Sequence, residues 1–227
     1  MILINKMPKQ LPLNRIKQLQ KIEVATIGHI KDEFVSDDFF QVNYQNTRFA
    51  GTAVTLSIDD EDSAILHYTI DLLRPHDVLV IDIQPQLIRS CWGLIIHMAA
   101  TNKLVNGIVL NGNITDIYSI RNCGIPIAYK GITAKIFRFS SFAHGTAGKL
   151  NSTVSIGNLT INSGDALLVD ECGLAAIPPI QLKNLIDTCL DIQSKELAIN
   201  YSLIKKDISD LTGSRTKILK ALATQNS

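Results

Sequence analysis

The sequence predicts an α/β domain with parallel strand pairing, followed by a helical C-terminal extension. Three observations predict it. Short valine- and isoleucine-rich runs alternate with helix-like segments from Phe49 to Lys130, the pattern of a layered α/β sheet. "DVLVIDI", Asp77 to Ile83, is apolar almost throughout, as strands covered on both faces are. From Pro179 onward the pattern is helical to near the end. With 46% hydrophobic and 19% charged residues among 227, the chain can bury one sizeable core.

The elements follow in order. Leu13, Ile16, Leu19 and Ile22 recur every three residues, which predicts an amphipathic helix in an N-terminal helical stretch of about 12–35. "FAGTAVTLSI", Phe49 to Ile58, is β-branched and bounded by polar residues, and predicts a strand. "SAILHYTIDLL" predicts a helix that stops before Pro75. The strand 77–83 and a helix from about Cys91 to Lys103 come next. In "GIVLNGNITD" a strand over 107–111 breaks into Asn111-Gly112-Asn113, and a short helix spans Asp116 to Asn122. "GIPIAYK" supplies a strand over about 125–129. After Gly131, "STVSIGNLTI" predicts a hairpin turning at Gly157-Asn158. "GDALLVD" (strand about 166–170) and "GLAAIPP" predict two further short strands. The tail is expected to break at Thr212-Gly213. Without repeats or low-complexity linkers, the chain divides into an α/β domain, 1–178, and a helical extension, 179–227.

The formal charge is +1, which argues against a protein that lives on nucleic-acid phosphates. Lys205, Lys206, Lys217 and Lys220 are interrupted by Asp207 and Asp210, the pattern of a solvated helix face. Every apolar run is too short for a membrane span, and the N-terminal apolar patch precedes its lysines, the reverse of a secretory signal. Cys91, Cys123, Cys172 and Cys189 form no CxxC pair, so buried free thiols in a reducing compartment are expected. The expected location is cytoplasmic, with neither nucleic acid nor membrane as partner.

Asp116 stands first among the chemical candidates. It suits a helix N-terminus favoured by the macrodipole. It also follows the C-terminal end of a strand, where ligands of α/β sheets gather, and a carboxylate there can hold a hard cation such as Mg²⁺. Gly93 opens the next candidate: free amides at a helix start bind carboxylates, and a glycine lets the ligand approach. A glycine serving only the turn is equally compatible, and Trp92 reads as packing. His29, His67, His76, His97 and His144 form no HExxH, and no GxSxG, GxGxxG or GxxxxGK[ST] loop is present.

Taken together, "FAGTAVTL", "DLLRPHDVLVIDI", "CWGLIIHMAATNKLVNGIVLNGNITDI", "GIPIAYKG" and "VSIGNLTINSGDALLVDECGLAAIPP", followed by the helical tail, resemble the RraA-like proteins. That family includes the 4-hydroxy-4-methyl-2-oxoglutarate aldolases. The resemblance implies a swivelling β/β/α domain assembled as a homotrimer or homohexamer, with active sites between subunits. The tail looks like that of the aldolase branch, since the regulators that inhibit ribonuclease E commonly lack it. It further implies that Gly93 and the amides of Leu94, Ile95 and Ile96 bind a pyruvyl carboxylate, and that Asp116 holds Mg²⁺ or Mn²⁺. Two positions depart from the aldolase signature: Thr115 stands in place of its arginine and Ser119 in place of its acid. Arg89 or Lys130 are candidates to replace the lost cation, and Glu196 is a candidate metal ligand from a neighbouring subunit. The function implied is a metal-dependent carbon–carbon lyase, of aldolase or oxaloacetate decarboxylase type, on a small 2-oxo acid. The departures favour the alternative, a non-catalytic regulator or binding protein.

Overall fold

The structure, a computed structural model, describes residues 1–38, 40–137, 147–204 and 214–225. The chain opens with β1 (Ile2–Ile4), α1 (Leu13–Leu19), α2 (Val24–Gly28), β2 (Gln41–Val42) and β3 (Arg48–Ile58). Alternation follows: α3 (Ala64–Leu72), β4 (Asp77–Ile83), α4 (Leu94–Asn102), β5 (Gly107–Ile114), α5 (Ile117–Ile120) and β6 (Ile127–Ile132). Then come β7 (Gly148–Leu150), β8 (Val154–Ile156), β9 (Leu159–Ile161), β10 (Ala166–Asp170) and β11 (Gly173–Ile177). The tail comprises α6 (Pro179–Ile204) and α7 (Ser214–Gln225).

Strands β3, β4, β5 and β6 pair in parallel and form the centre of the main sheet. β2 runs antiparallel along β6. On the other side, β10 pairs antiparallel with the first half of β3, and β7 with its last three residues. One face of the central strands, with Leu56, Leu79, Ile81, Ile108 and Leu110, packs on Leu66 of α3, Ala100 of α4 and Ile120 of α5. The opposite face, with Ala53, Val78, Val80 and Val109, packs on Ile156 and Ile161 of the β8–β9 hairpin and on Leu167 and Val169 of β10. The layers are thus β/β/α, and the sequence expectation holds. A third cluster joins Ile16, Leu19, Ile22, Val24 and Ile27 to Leu168, Ala175, Leu182 and Ile186. It seats α1, α2 and the first turns of α6 on the β10–β11 layer.

Three local readings are corrected. The helical stretch expected over 12–35 is broken into α1, α2 and a single 3₁₀ turn at Asp32–Phe34. Ile16, Leu19, Ile22, Val24 and Ile27 are all essentially inaccessible. At 100° per residue a continuous helix would spread them over roughly 200° of its circumference, wider than one buried face. The break at Glu23 lets all five face inward, and Asp170 Oδ2 accepts the freed Val24 amide at 2.9 Å. Second, β5 does not stop at Asn111 but continues to Ile114 across a register shift between Leu110 and Asn113. Gly112 permits this, because a Cβ there would lie 2.7 Å from Ile83 Cδ1. Third, β6 begins at Ile127, after Pro126, which has no N–H to give the ladder but accepts the Ile108 amide at 3.0 Å.

The break expected at Thr212-Gly213 lies outside the described residues, as does His144. No helix among the described residues is long and apolar enough to cross a membrane. Beyond its buried first turns α6 exposes Leu197 and Tyr201, and α7 exposes Ile218, Leu219 and Leu222. Apolar side chains exposed along a helical extension form a surface that a second subunit would cover. The chain is therefore expected to sediment as an oligomer at micromolar concentration, and Leu197→Asp with Tyr201→Asp to shift it toward monomer. A wild-type monomer under those conditions would refute the tail's assembly role.

Candidate active site beyond the ends of β4 and β5

The chain leaving β4 returns beside β5. Trp92 forms a parallel bridge to Ile114, and Ser90 a parallel bridge to Ile136. Residues 90–92 therefore run extended between β5 and the segment after β6. The Ser90 hydroxyl accepts from Trp92 N at 3.0 Å and donates to Trp92 O at 2.9 Å, which fixes the turn into α4. Thr115 N donates to Trp92 O at 2.9 Å, so the end of β5 is laced to the start of α4.

Asp116 occupies the residue before α5 in the left-handed conformation, φ +53° and ψ +28°, a region aspartate tolerates better than most residues. Its side chain does not cap α5. Oδ2 instead accepts the amide of Leu94, the first residue of α4, at 2.9 Å, while Oδ1 lies 3.4 Å from the Thr115 hydroxyl. The aspartate is thus a helix cap, but of α4 rather than of the helix it precedes. Gly93 has an ordinary extended backbone. It is required by space, because a Cβ there would lie 2.8 Å from Asp116 Oδ2 and 3.1 Å from Thr115 Cγ2.

A buried polar chain holds α4 in this position. Trp92 Nε1 lies 3.3 Å from His97 Nδ1, and His97 Nε2 lies 3.1 Å from Cys123 O. An indole can only donate, so Nδ1 accepts and Nε2 carries the proton to the carbonyl. Tyr44 OH donates to the same carbonyl at 2.6 Å. Both rings of the pair are fully buried. Burial pushes the His97 pKa below its ordinary value, opposed in part by the Cys123 carbonyl. Gly124, at φ +82°, leaves room for the imidazole, since a Cβ would lie 2.4 Å from Nε2.

Leu94, Ile95 and Ile96 open onto a cleft of about 200 Å³ together with Asp116 and Thr115. Ile136 and Phe137 also line it. The structure thus brings together Gly93, Leu94, Ile95, Ile96, Thr115 and Asp116. The remaining candidates are not gathered with them. Arg89 gives Nε to Glu61 at 3.0 Å and Nη1 to Ile136 O at 3.2 Å, and does not line the cleft. Lys130 is paired with Asp38 and lies over the Phe40 ring at 4.4 Å. It follows Tyr129, whose ring packs in the helix-side core, so by strand alternation it points to the other face. Glu196 is exposed on α6, away from the cleft. Among the described residues no three potential metal ligands cluster. The reading of the sequence missed His97, Ile136 and Phe137. Only the bridge between Ser90 and Ile136 delivers the last two, and nothing local in "KIF" announces it.

A family model described as "RraA-like: Aldolase/RraA" matches residues 28–175. Protein DlpA of Legionella pneumophila is 30% identical over 137 residues, 59% of this chain. The chain spans 21% of that relative's length. A Halalkalibacterium halodurans protein named "Putative 4-hydroxy-4-methyl-2-oxoglutarate aldolase" is 26% identical over 164 residues, covering 70% of this chain and 76% of that one. The solved structure of Streptomyces coelicolor RraAS2, titled an unusual member of the RNase ES inhibitor RraA protein family, matches with a TM-score of 0.72 at 20% identity. It covers 84% of this chain and 98% of that one, a likeness of fold.

The buried His97 generates a pH prediction. Its folded pKa lies below the unfolded value of about 6.5, so the unfolded chain binds the proton first. Its neutral form contributes stability above that pH, and the contribution is lost as pH falls below it and through the lower folded pKa. Tm is expected to drop between pH 7.5 and 5.5, and His97→Gln to flatten that drop. An equal drop in the variant would assign the pH dependence elsewhere.

Proposed function

The chain belongs to the RraA-like family, matched across residues 28–175, and from that premise we propose that it is a divalent-metal-dependent carbon–carbon lyase acting on a small 2-oxo acid. One observation carries the reading. The Asp116 carboxylate and the first amide of α4 meet at 2.9 Å beside a cleft of small-acid size. The aldolase name of the Halalkalibacterium halodurans relative supports the same reaction class.

The residues present fit a Mg²⁺ or Mn²⁺ ion that arrives with its substrate. Mg²⁺ often takes one or two carboxylates, the remaining ligands being water and substrate oxygens. With Oδ2 on Leu94 N, the Asp116 Oδ1 atom is the ligand oxygen left over, beside the Thr115 hydroxyl. When bound, such an ion supplies Lewis-acid stabilisation of enolate charge. The chain's own part is to bind and orient. The Ile95 and Ile96 amides belong to the first turn of α4 and have no acceptor within the helix. They would take the substrate carboxylate, helped by the positive end of the helix. Trp92 and Phe137, both buried, would keep water from the carbon that becomes the enolate. Thr115 can orient Asp116 but brings no charge. Glu196 would contribute only from another subunit of an oligomer.

A second reading has its own observation. Thr115 and Ser119 replace the arginine and acid of the aldolase signature, and the nearby cations are held by acids, Arg89 by Glu61 and Lys130 by Asp38. A chain that keeps the scaffold without the chemistry would be a regulator or binding protein, in line with its likeness in fold to RraAS2.

Pyruvate release from oxaloacetate and from 4-hydroxy-2-oxo acids, measured with and without Mg²⁺, separates the two. The lyase reading expects slow release that stops with chelator and in Asp116→Asn, which removes the charge but keeps the shape. Release unaffected by either change would overturn it.

The missing cation supports a second test. Removing one donor aimed at an oxyanion costs roughly 10²–10³ in rate, so Thr115→Arg with Ser119→Glu should raise oxaloacetate decarboxylation by about that factor, chiefly in kcat. A folded double variant that binds Mg²⁺ without gaining activity would leave the regulator reading standing.

A further inference from the structure

We infer that Arg89 recognises the distal carboxylate of a dicarboxylic 2-oxo acid, and that Glu61 holds the place of that carboxylate until the acid binds. The inference rests on the proposed function, to which it adds a specificity-determining side chain.

Charge sets the requirement. On the lyase reading the α4 amides and Asp116 serve the oxo-acid head. Asp116 is the one charged group among the described residues that line the cleft. A second carboxylate on the substituent therefore needs a cation from just outside the lining, because its desolvation is otherwise uncompensated. The need is sharpened by Asp59, Asp60, Glu61 and Asp62, which directly follow β3 and would repel a dianion.

Arg89 stands where that cation is needed. It precedes Ser90, which lines the cleft, and its Nη1 donates at 3.2 Å to the carbonyl of Ile136, which lines it too. On its other side Nε meets Glu61 Oε2 at 3.0 Å, two residues before Ser63, again part of the lining. The guanidinium thus ties together two segments that border the cleft. Its pairing with Glu61 shows that a carboxylate fits it there. The two side chains are 29% and 43% exposed, and ion pairs this open contribute little to stability. A ligand carboxylate can therefore take the place of Glu61 at small cost. A guanidinium has five N–H donors in a planar fork, enough to keep Ile136 O and hold a carboxylate by two parallel bonds. Lys130 has no such position, being paired with Asp38 over the Phe40 ring on the other face of the sheet.

The test is calorimetric titration of the full chain, with Mg²⁺ present, by 2-oxoglutarate and 2-oxopentanoate. These acids share a five-carbon chain that ends in a carboxylate or in a methyl group. Neither has the 4-hydroxyl that retro-aldol cleavage needs, so they serve as inert probes of binding. A charge-assisted pair strengthens binding by roughly ten- to hundredfold, and 2-oxoglutarate should bind the tighter by about that factor. Arg89→Met should abolish the preference and leave 2-oxopentanoate binding as before, a separation that a merely structural arginine would not produce. Glu61→Gln, which frees the guanidinium, should tighten 2-oxoglutarate about two- to threefold without moving 2-oxopentanoate. Equal affinities in the wild type, a preference that survives Arg89→Met, or an equal loss of both acids in that variant overturns the inference and leaves the lyase reading intact. So does weaker 2-oxoglutarate binding in Glu61→Gln. Failure of both acids to bind in the presence of Mg²⁺ overturns both.

Discussion

The fold depends on one strand being shared by three packed layers. β3 is eleven residues long, and only Arg48, at its start, is exposed. At Thr52 it pairs with Ala166 of β10 on one edge and with Asp77 of β4 on the other. That crossing requires Gly51, because a Cβ there would lie 2.4 Å from His76 O and 2.8 Å from Val78 Cγ2. Its side chains are divided accordingly. Ala50 joins the outer helices, Val54, Leu56 and Ile58 join the α3–α5 layer, and Phe49 and Ala53 join the middle. Slipping this strand by one residue would exchange every assignment. The Phe49 ring also fills the space that a side chain at Gly107 would need, so the position of β3 sets where β5 can begin.

The site inherits its geometry from that arrangement. β4 and β5 are fixed by β3, and the irregularity in β5 between Leu110 and Asn113 re-aims the residues beyond it, as bulges do. Those residues deliver Asp116 to α4. The helix is fixed in turn by the Trp92–His97–Cys123 chain, whose members are buried or half-buried and hydrogen-bonded. A carboxylate resting on strand ends and a helix start held by a packed indole is a more rigid site than loops could build.

Much of this was legible because the signals are local. The apolar run of "DVLVIDI" and the Gly157-Asn158 turn each specify their element without help from distant residues. Gly93 and Asp116 were legible as a pair through the family resemblance, since no short-range rule links residues so far apart in sequence. What escaped notice depends on tertiary contact. The N-terminal helix breaks because five apolar side chains share one cluster and Asp170 caps the new start. The direction of the Asp116 side chain follows from a left-handed backbone that periodicity cannot foresee. Arg89 and Lys130 looked like free cations in the sequence because Glu61 and Asp38 meet them only on folding.

Electrostatics explains why Asp116 is the residue on which both functional readings turn. A helix N-terminus carries roughly half a positive charge, and the carboxylate lodged on Leu94 N brings a full negative one. The local balance is therefore negative, and an anionic acid approaching alone meets repulsion. Two routes remove it. A divalent cation on Asp116 reverses the balance and draws the acid in, which is the lyase arrangement and needs the aspartate charged. Without a cation, the same carboxylate occupies the helix end as an internal anion and keeps acids out, which suits a scaffold that binds something else. In the aldolase signature an adjacent arginine would tilt this balance permanently toward anions. On the lyase reading Thr115 would leave it to a bound cation, and acid binding would then be more strictly coupled to that cation than in a relative that keeps the arginine.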